Sequence, residues 1–235
     1  MYKVNYNPGL LDILKDLSRI DMSVIFEKDE KNNVVVKRAD TEQTIAYQLK
    51  APSEYFSVQD DKIAFYMYNE FYQYYKAFSD GDPEISIDNN KIFLSLNESK
   101  SDYKLSSPES IKDGPKSINF TNPDIKFNLT SKDLDEFSRM IALIKPKKIQ
   151  IFGTGDKITL KIFNNIHENT FEKTFHVENF GEIDDEIDFV IFSETLDCLP
   201  IKRDYTIEIK KQGFVKISLI DENISLDIFT GKVKV

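Results

Sequence analysis

Apolar and polar residues alternate along most of this chain, and only four stretches shift to the three-and-four spacing of a helix. The alternating segments are rich in Val, Ile, Phe and Tyr, which predicts strands over 33–37, 44–49, 158–163, 205–210 and 214–220. The first helix is expected over 8–20. Asn7 is placed to cap it, Pro8 suits the first helical position, and Leu10, Ile13, Leu14, Leu17 and Ile20 make one apolar face. A second is expected over 69–78, with Asn69 as cap, Phe71, Tyr74, Tyr75 and Phe78 on its buried side and Gly81 just past its end. The third, over 131–144, is capped by Ser131, buries Leu134, Phe137, Met140, Ile141 and Ile144, and stops before Pro146. The fourth is short, 193–199, and ends at Pro200.

These elements repeat. One constant offset lays Asn7 on Ser131, Leu10 on Leu134, Ile13 on Phe137, Lys15 on Arg139, Leu17 on Ile141 and Ile20 on Ile144. The same offset lays Phe65 on Phe189, Met67 on Ile191 and Asn69 on Ser193, and one residue less lays KIFLSL at Lys91 on FVKISL at Phe214. Two copies of one α+β domain are therefore expected, 1–110 and 121–235, each with two short helices packed on β-sheets. Between them, 111–120 lies in a stretch of Pro, Gly, Ser and charged residues with the composition of a linker.

Composition narrows the functional classes. The 235 residues, 40% of them hydrophobic, suffice for a substantial core without staples. A net charge of -9, from 31 basic and 40 acidic residues, excludes a uniformly basic protein that binds nucleic acid by blanket neutralisation, so any such contact must be local. The single Cys198 permits no internal disulfide and no cysteine zinc cluster, and no apolar run approaches a membrane span; the expectation is a soluble cytoplasmic protein.

The order and spacing of several segments carry a resemblance. LTSKDLDEFSRMIALI with GDKITLKIFN, FSETLDCLPIKRDYTIEI leading to GFVKISL, and NEFYQYYKAFSDGDPEISI in the first half are similar to the DNA sliding clamps of T-even-type bacteriophages, which are related to the proliferating cell nuclear antigen fold. The similarity spans nearly the whole chain. It implies duplicated clamp domains assembled as a closed homotrimeric ring of six domains, helices lining the hole and strands continuing across subunit boundaries. It implies double-stranded DNA held non-specifically through the ring, a clamp loader, a DNA polymerase C-terminal peptide, no catalysis, no cofactor, no metal, and the cytoplasm of a host cell. The first helix departs from the family by opening on Asn7-Pro8-Gly9 rather than a basic turn.

A sliding ring needs positive charge toward phosphate but no base readout. The DNA-facing candidates are Lys15, Arg19, Lys76 and Arg139 on helices, with Lys132, Lys202 and Arg203, although Asp12, Asp16 and Asp135 lie beside them. The resemblance also implies a hydrophobic pocket beneath the linker. Its candidate residues are Ala39, Ile45, Ile111, Phe214, Ile228 and Phe229, with Ile111 expected to have little core of its own to join. Strands at 101–106 and 171–177 are the candidate ring contacts.

Other chemistries find less support. His167 and His176 lack metal-ligand spacing, Cys198 has no nearby base, and EIDDEID at 182–188 lacks the order of a calcium loop. Gly153 to Asp156 precedes a strand and reads as a hairpin turn. The rivals that remain are a phage structural or scaffolding protein that binds no DNA and a small-molecule-binding β protein.

Overall fold

The computed structural model describes residues 1–59, 62–78, 81–88, 90–115, 118–164, 166, 168–179 and 186–233. His167 and residues 182–185 of the acidic run lie outside this set. In chain order the first half contains β1 (Tyr2–Val4), α1 (Pro8–Leu17), β2 (Val24–Lys28), β3 (Val34–Ala39), β4 (Ile45–Ala51), β5 (Lys62–Phe65), α2 (Tyr68–Lys76), β6 (Glu84–Asp88), β7 (Lys91–Leu96) and β8 (Ser99–Lys104). The second half contains β9 (Ile125–Leu129), α3 (Ser131–Ile144), β10 (Lys148–Thr154), β11 (Lys157–Asn164), β12 (Asn169–His176), β13 (Glu178–Asn179), β14 (Ile187–Phe192), α4 (Glu194–Asp197), β15 (Tyr205–Lys210), β16 (Phe214–Leu219) and β17 (Ser225–Gly231).

The strands form three antiparallel sheets, ordered β1-β6-β7-β8, β12-β11-β10-β14 and β13-β9-β15-β16-β17-β4-β3-β2-β5. The nine-stranded sheet joins the halves. Its β9-β15-β16-β17 part has the same connectivity as β1-β6-β7-β8, and its β4-β3-β2-β5 part the same as β12-β11-β10-β14. The joint is β17 against β4, with Ile228 opposite Tyr47 and Leu226 opposite Leu49. All four of these side chains are buried.

Local chemistry explains the helices. Asn7 accepts the Leu10 amide at 3.1 Å, and Pro8 begins α1. Burial of Leu10, Leu11, Ile13, Leu14 and Leu17 then stabilises the packed helix by about 1.5–3 kcal/mol per side chain, more than a cap supplies. In α3 the cap is Thr130 rather than Ser131, because Thr130 and Asp133 close a reciprocal capping box. The caps Asn7 and Thr130 thus differ by one residue in offset from the buried stripes. Lys145 enters the left-handed region, φ 51°, and ends α3 before Pro146.

The second helix differs from expectation. It starts at Tyr68, Asn69 lies inside it, and Met67 occupies the cap position without a side-chain bond. The one-residue shift buries Tyr68 and Tyr72 with Phe71 and Tyr75 and turns Tyr74 outward. The cause is tertiary: Tyr68 and Phe71 join Phe26, Phe56 and Phe65 in an aromatic cluster whose Phe26 and Phe56 rings stack at 4.1 Å. α4 spans only Glu194–Asp197. The turn after Gly153 is a hairpin: Gly155, φ 60°, and Asp156 connect β10 to β11, with Thr154 opposite Lys157.

Candidate functional site

Three features stand out: a row of helices, a cavity beside the 111–120 segment, and two open sheet edges.

The helices are contiguous. α1 packs on α2 and α3 on α4. Arg19, just past α1, reaches Asp197 of α4 through its carboxylate at 3.0 Å and its carbonyl at 2.8 Å. The row is therefore α3-α4-α1-α2. Lys15, Lys76, Lys132 and Arg139 lie on it, and Lys202 and Arg203 follow α4. Most of these bases carry an acidic partner: Lys15 with Asp16 at 2.9 Å, Lys76 with Asp12 at 3.4 Å, Arg139 with Asp135 at 3.2 Å, Arg203 with Asp221 at 2.8 Å. Lys76 also sits over the Tyr72 and Tyr75 rings. Lys132 and Lys202 are exposed. The field along the row is therefore much weaker than its basic residues alone provide.

The cavity, about 1050 Å³, is bordered by the loop after α1, the β3–β4 hairpin, residues 110–115 and the β16–β17 end of the nine-stranded sheet. Ala39, Ile111, Phe214 and Phe229 line it, joined by Met22, Tyr66 and Phe192, which the sequence did not mark. Met22, Tyr66 and Phe214 are more than half exposed, at 53%, 56% and 55%. Such side chains grouped at one cavity make it the candidate binding surface rather than scattered surface apolarity.

Ile45 and Ile228 are not part of it. Both are buried in the main core, because strand alternation sends Ile228 to the opposite face of β17 from Phe229. Ile111 borders the cavity, but it also has core to join, packing with buried Ile25 and Ala64 as a small separate cluster. A buried Arg38, also unmarked by the sequence, lies in the cavity wall.

Among the described residues β8 and β12 pair on one side only, as do the other sheet-end strands β1, β14, β13 and β5. The Leu105 amide donates to Asn90 at 2.8 Å, so β8 residues of the same parity face β7, and the N–H groups of Lys100, Asp102 and Lys104 face outward. By the same reasoning from the Val177 amide to Asp156, Thr170, Glu172 and Thr174 face outward on β12.

Among the remaining residues, Cys198 is buried and its thiol is pushed up to about 12, first by burial and then by Asp197. His176 is exposed beside Asp156 at 3.6 Å. Among the described residues no cluster of three or more His, Cys, Asp or Glu is placed to hold a metal, and no helix is long and apolar enough to cross a membrane.

No family model matches the sequence, and no curated protein matches it. Solved structures do match. A. fulgidus PCNA bound to the C-terminal region of FEN-1 superposes with a TM-score of 0.73 at 11% identity, over 100% of this chain and 99% of that one. The proliferating cellular nuclear antigen of Entamoeba histolytica gives 0.73 at 14%, over 96% and 95%. PCNA from Thermococcus kodakaraensis gives 0.72 at 14%, over 98% and 99%. The chain has the PCNA-like clamp fold, an α+β architecture of short helices on antiparallel sheets.

Proposed function

We propose that this chain is the subunit of a DNA sliding clamp, three copies of which close head to tail around double-stranded DNA and tether a replicative polymerase. Residues 1–110 and 121–235 are its two clamp domains and 111–120 the linker. It has no catalytic role. On this reading, which the sequence resemblance to T-even-type phage clamps supports, it serves a phage replication system in the cytoplasm of a host cell.

The observation that carries this reading is the relation between the joined seam and the open edges. β8 is the repeat counterpart of β17, and β12 of β4. Leu94 aligns with Ile217 in the repeat; Leu94 faces Ser101, and Ile217 faces Ile228. The main offset takes Tyr47 to Phe171. Because Ile228 faces Tyr47 within the chain, Ser101 would face Phe171 of the next copy. That register sets Lys100 opposite Glu172 as an oppositely charged cross-strand pair, brings Lys104 beside Glu168 in the turn before β12, and aligns the outward N–H groups of both edges. Such a pair contributes about 0.2–1 kcal/mol, enough to select a register while the backbone ladder supplies the hold.

In such a ring the helix row faces the hole. Bases already paired with carboxylates make weak, exchangeable contacts with phosphate, which suits sliding, while the acidic body keeps DNA from the outside. The cavity beside the linker takes a short apolar peptide, as a polymerase C-terminus or a loader would present. A neighbour of the same fold solved with a bound FEN-1 C-terminal region supports a peptide partner.

Native mass measurement and DNA retention test the proposal. The expected mass is about three times 27.3 kDa. With the clamp loader of its own replication system, the protein is expected to stay on a nicked circular duplex and to leave once that duplex is linearised. A monomer at micromolar concentration that is never retained on circular DNA overturns it.

A further inference from the structure

We propose that Arg38 is a positioning residue for the linker cavity, its buried guanidinium latching the Lys112 carbonyl to the sheet and so fixing the wall against which a partner's apolar side chains pack. The proposal rests on reading that cavity as the partner site.

Arg38 is the fifth residue of β3, at a position alternation reserves for the interior, and it is only 3% exposed. A guanidinium there must be fully partnered. Nε and Nη2 donate to Asp21 Oδ2 at 3.1 and 2.5 Å, Nη2 also to Ser23 Oγ at 2.6 Å, and Nη1 to the Lys112 carbonyl at 2.5 Å. Asp21 Oδ1 in turn accepts the Ser23 amide at 2.9 Å and hydroxyl at 2.8 Å. One planar group therefore spans three segments: the loop after α1, the strand and the linker.

Two neighbouring contacts hold the same stretch. Ile111 is buried against Ile25 and Ala64. Gly114 lies flush on β3, where an added Cβ would stand 2.0 Å from the Lys37 carbonyl oxygen, so only glycine fits. Residues 111–114 are thus pinned by an apolar plug, a charged latch and a backbone contact in succession. Asp21, Ser23, Arg38, Ile111, Lys112 and Gly114 all border the cavity. Buried ion pairs often add little net stability compared with an apolar replacement. What this one supplies is geometry, since it meets a backbone carbonyl and is indifferent to the side chain at 112.

Arginine and lysine separate the two roles. Lysine at 38 still neutralises Asp21 but lacks the rigid fork that puts Nε and Nη2 on Asp21 and Nη1 on the Lys112 carbonyl at once. The variants are Arg38→Lys, Arg38→Met and, as a control of comparable destabilisation, Val36→Ala on the same strand, which is buried and outside the cavity lining. Two readouts are taken: deuterium uptake over residues 108–115 of the free protein, and affinity for a fluorescein-labelled short synthetic peptide with leucine and phenylalanine anchors. Both Arg38 variants are expected to speed uptake and weaken the peptide by about tenfold. Arg38→Lys should do so with most of the thermal midpoint retained, and Val36→Ala should lower the midpoint with neither readout changed. Should Arg38→Met not fold, Arg38→Lys and Asp21→Asn decide the matter. Unchanged uptake and affinity in the Arg38 variants, or equal changes in Val36→Ala, overturn the latch. A parent protein that ignores the peptide counts against the partner reading, and the uptake arm then decides the latch alone.

Discussion

The seam between β17 and β4 and the open edges of β8 and β12 occupy equivalent positions in the repeat, and their side chains differ sharply. In the joined seam the inward positions are Leu226, Ile228, Tyr47 and Leu49, all buried. At the equivalent open positions stand Ser99, Ser101, Phe171 and Lys173. Outward, β8 carries Lys100, Asp102 and Lys104. The first seam is built to be permanent and is part of the core. The second is charged and short of apolar area, which protects the edges from indiscriminate strand pairing in the single chain.

The largest expected effect comes from making the joined seam like the open one. Ile228→Ser copies Ser101 into the core, and it should lower unfolding stability by about 3–5 kcal/mol, read from the urea midpoint. Its mirror is Asp102→Pro, which removes an outward N–H from β8; assembly should fall to a 27.3 kDa monomer with the thermal midpoint nearly kept. A trimer surviving Asp102→Pro would show that β8 is not the contact.

A smaller effect distinguishes how the two edges are held to their own halves. Where β4 has Leu49, β12 has Lys173, bound to Asp133 at 2.7 Å and Glu136 at 2.5 Å on α3. Burial opposes ionisation of Asp133, but Lys173 and Thr130 outweigh it and hold the carboxyl below its usual range. A depressed carboxylate stabilises the fold above its unfolded pKa and loses that contribution as pH falls through the folded value. Asp133→Asn should therefore cost about 1–2 kcal/mol at pH 7, and in a thermal-melt series the difference from the parent should start to shrink below about pH 4 and vanish only below the depressed folded value. A difference that persists at low pH would place the effect in packing rather than charge.

The smallest effect is the register. Lys100→Glu should weaken assembly by about 0.2–1 kcal/mol, and adding Glu172→Lys should restore it in a dilution series followed by mass. Absence of recovery in the double variant would exclude this pairing.

Much of the fold was legible because its signals are local. The stripes of α1 and α3 recur every three or four residues beside their caps, and the strands around Ile158, Tyr205 and Phe214 alternate cleanly, so each segment states its own geometry. The repeat followed from comparing such segments. Where several apolar faces were available the pattern was ambiguous: in the tyrosine-rich α2, the Phe26 and Phe65 rings took in Tyr68 and Phe71 and left Tyr74 outward.

The candidate site depended on contacts between distant residues. Ile228 and Phe229 are adjacent and both apolar, yet one is core and the other cavity wall, because their faces are set by pairing with β4 far away in sequence. Ile111 looked isolated until folding brought Ile25 and Ala64 to it. Arg19 looked like an unpaired base until α4 brought Asp197 within 3.0 Å of its exposed side chain. Nothing within β3 announces that Arg38 meets Asp21 and the linker, though a base at an inward strand position was the available clue. Which elements form, and that they form twice, is written locally in the chain, since periodicity and capping act over a few residues. Tertiary structure alone decided which faces meet, which charges are neutralised and which edges stay open, since those depend on pairings between segments whose separation no local pattern encodes.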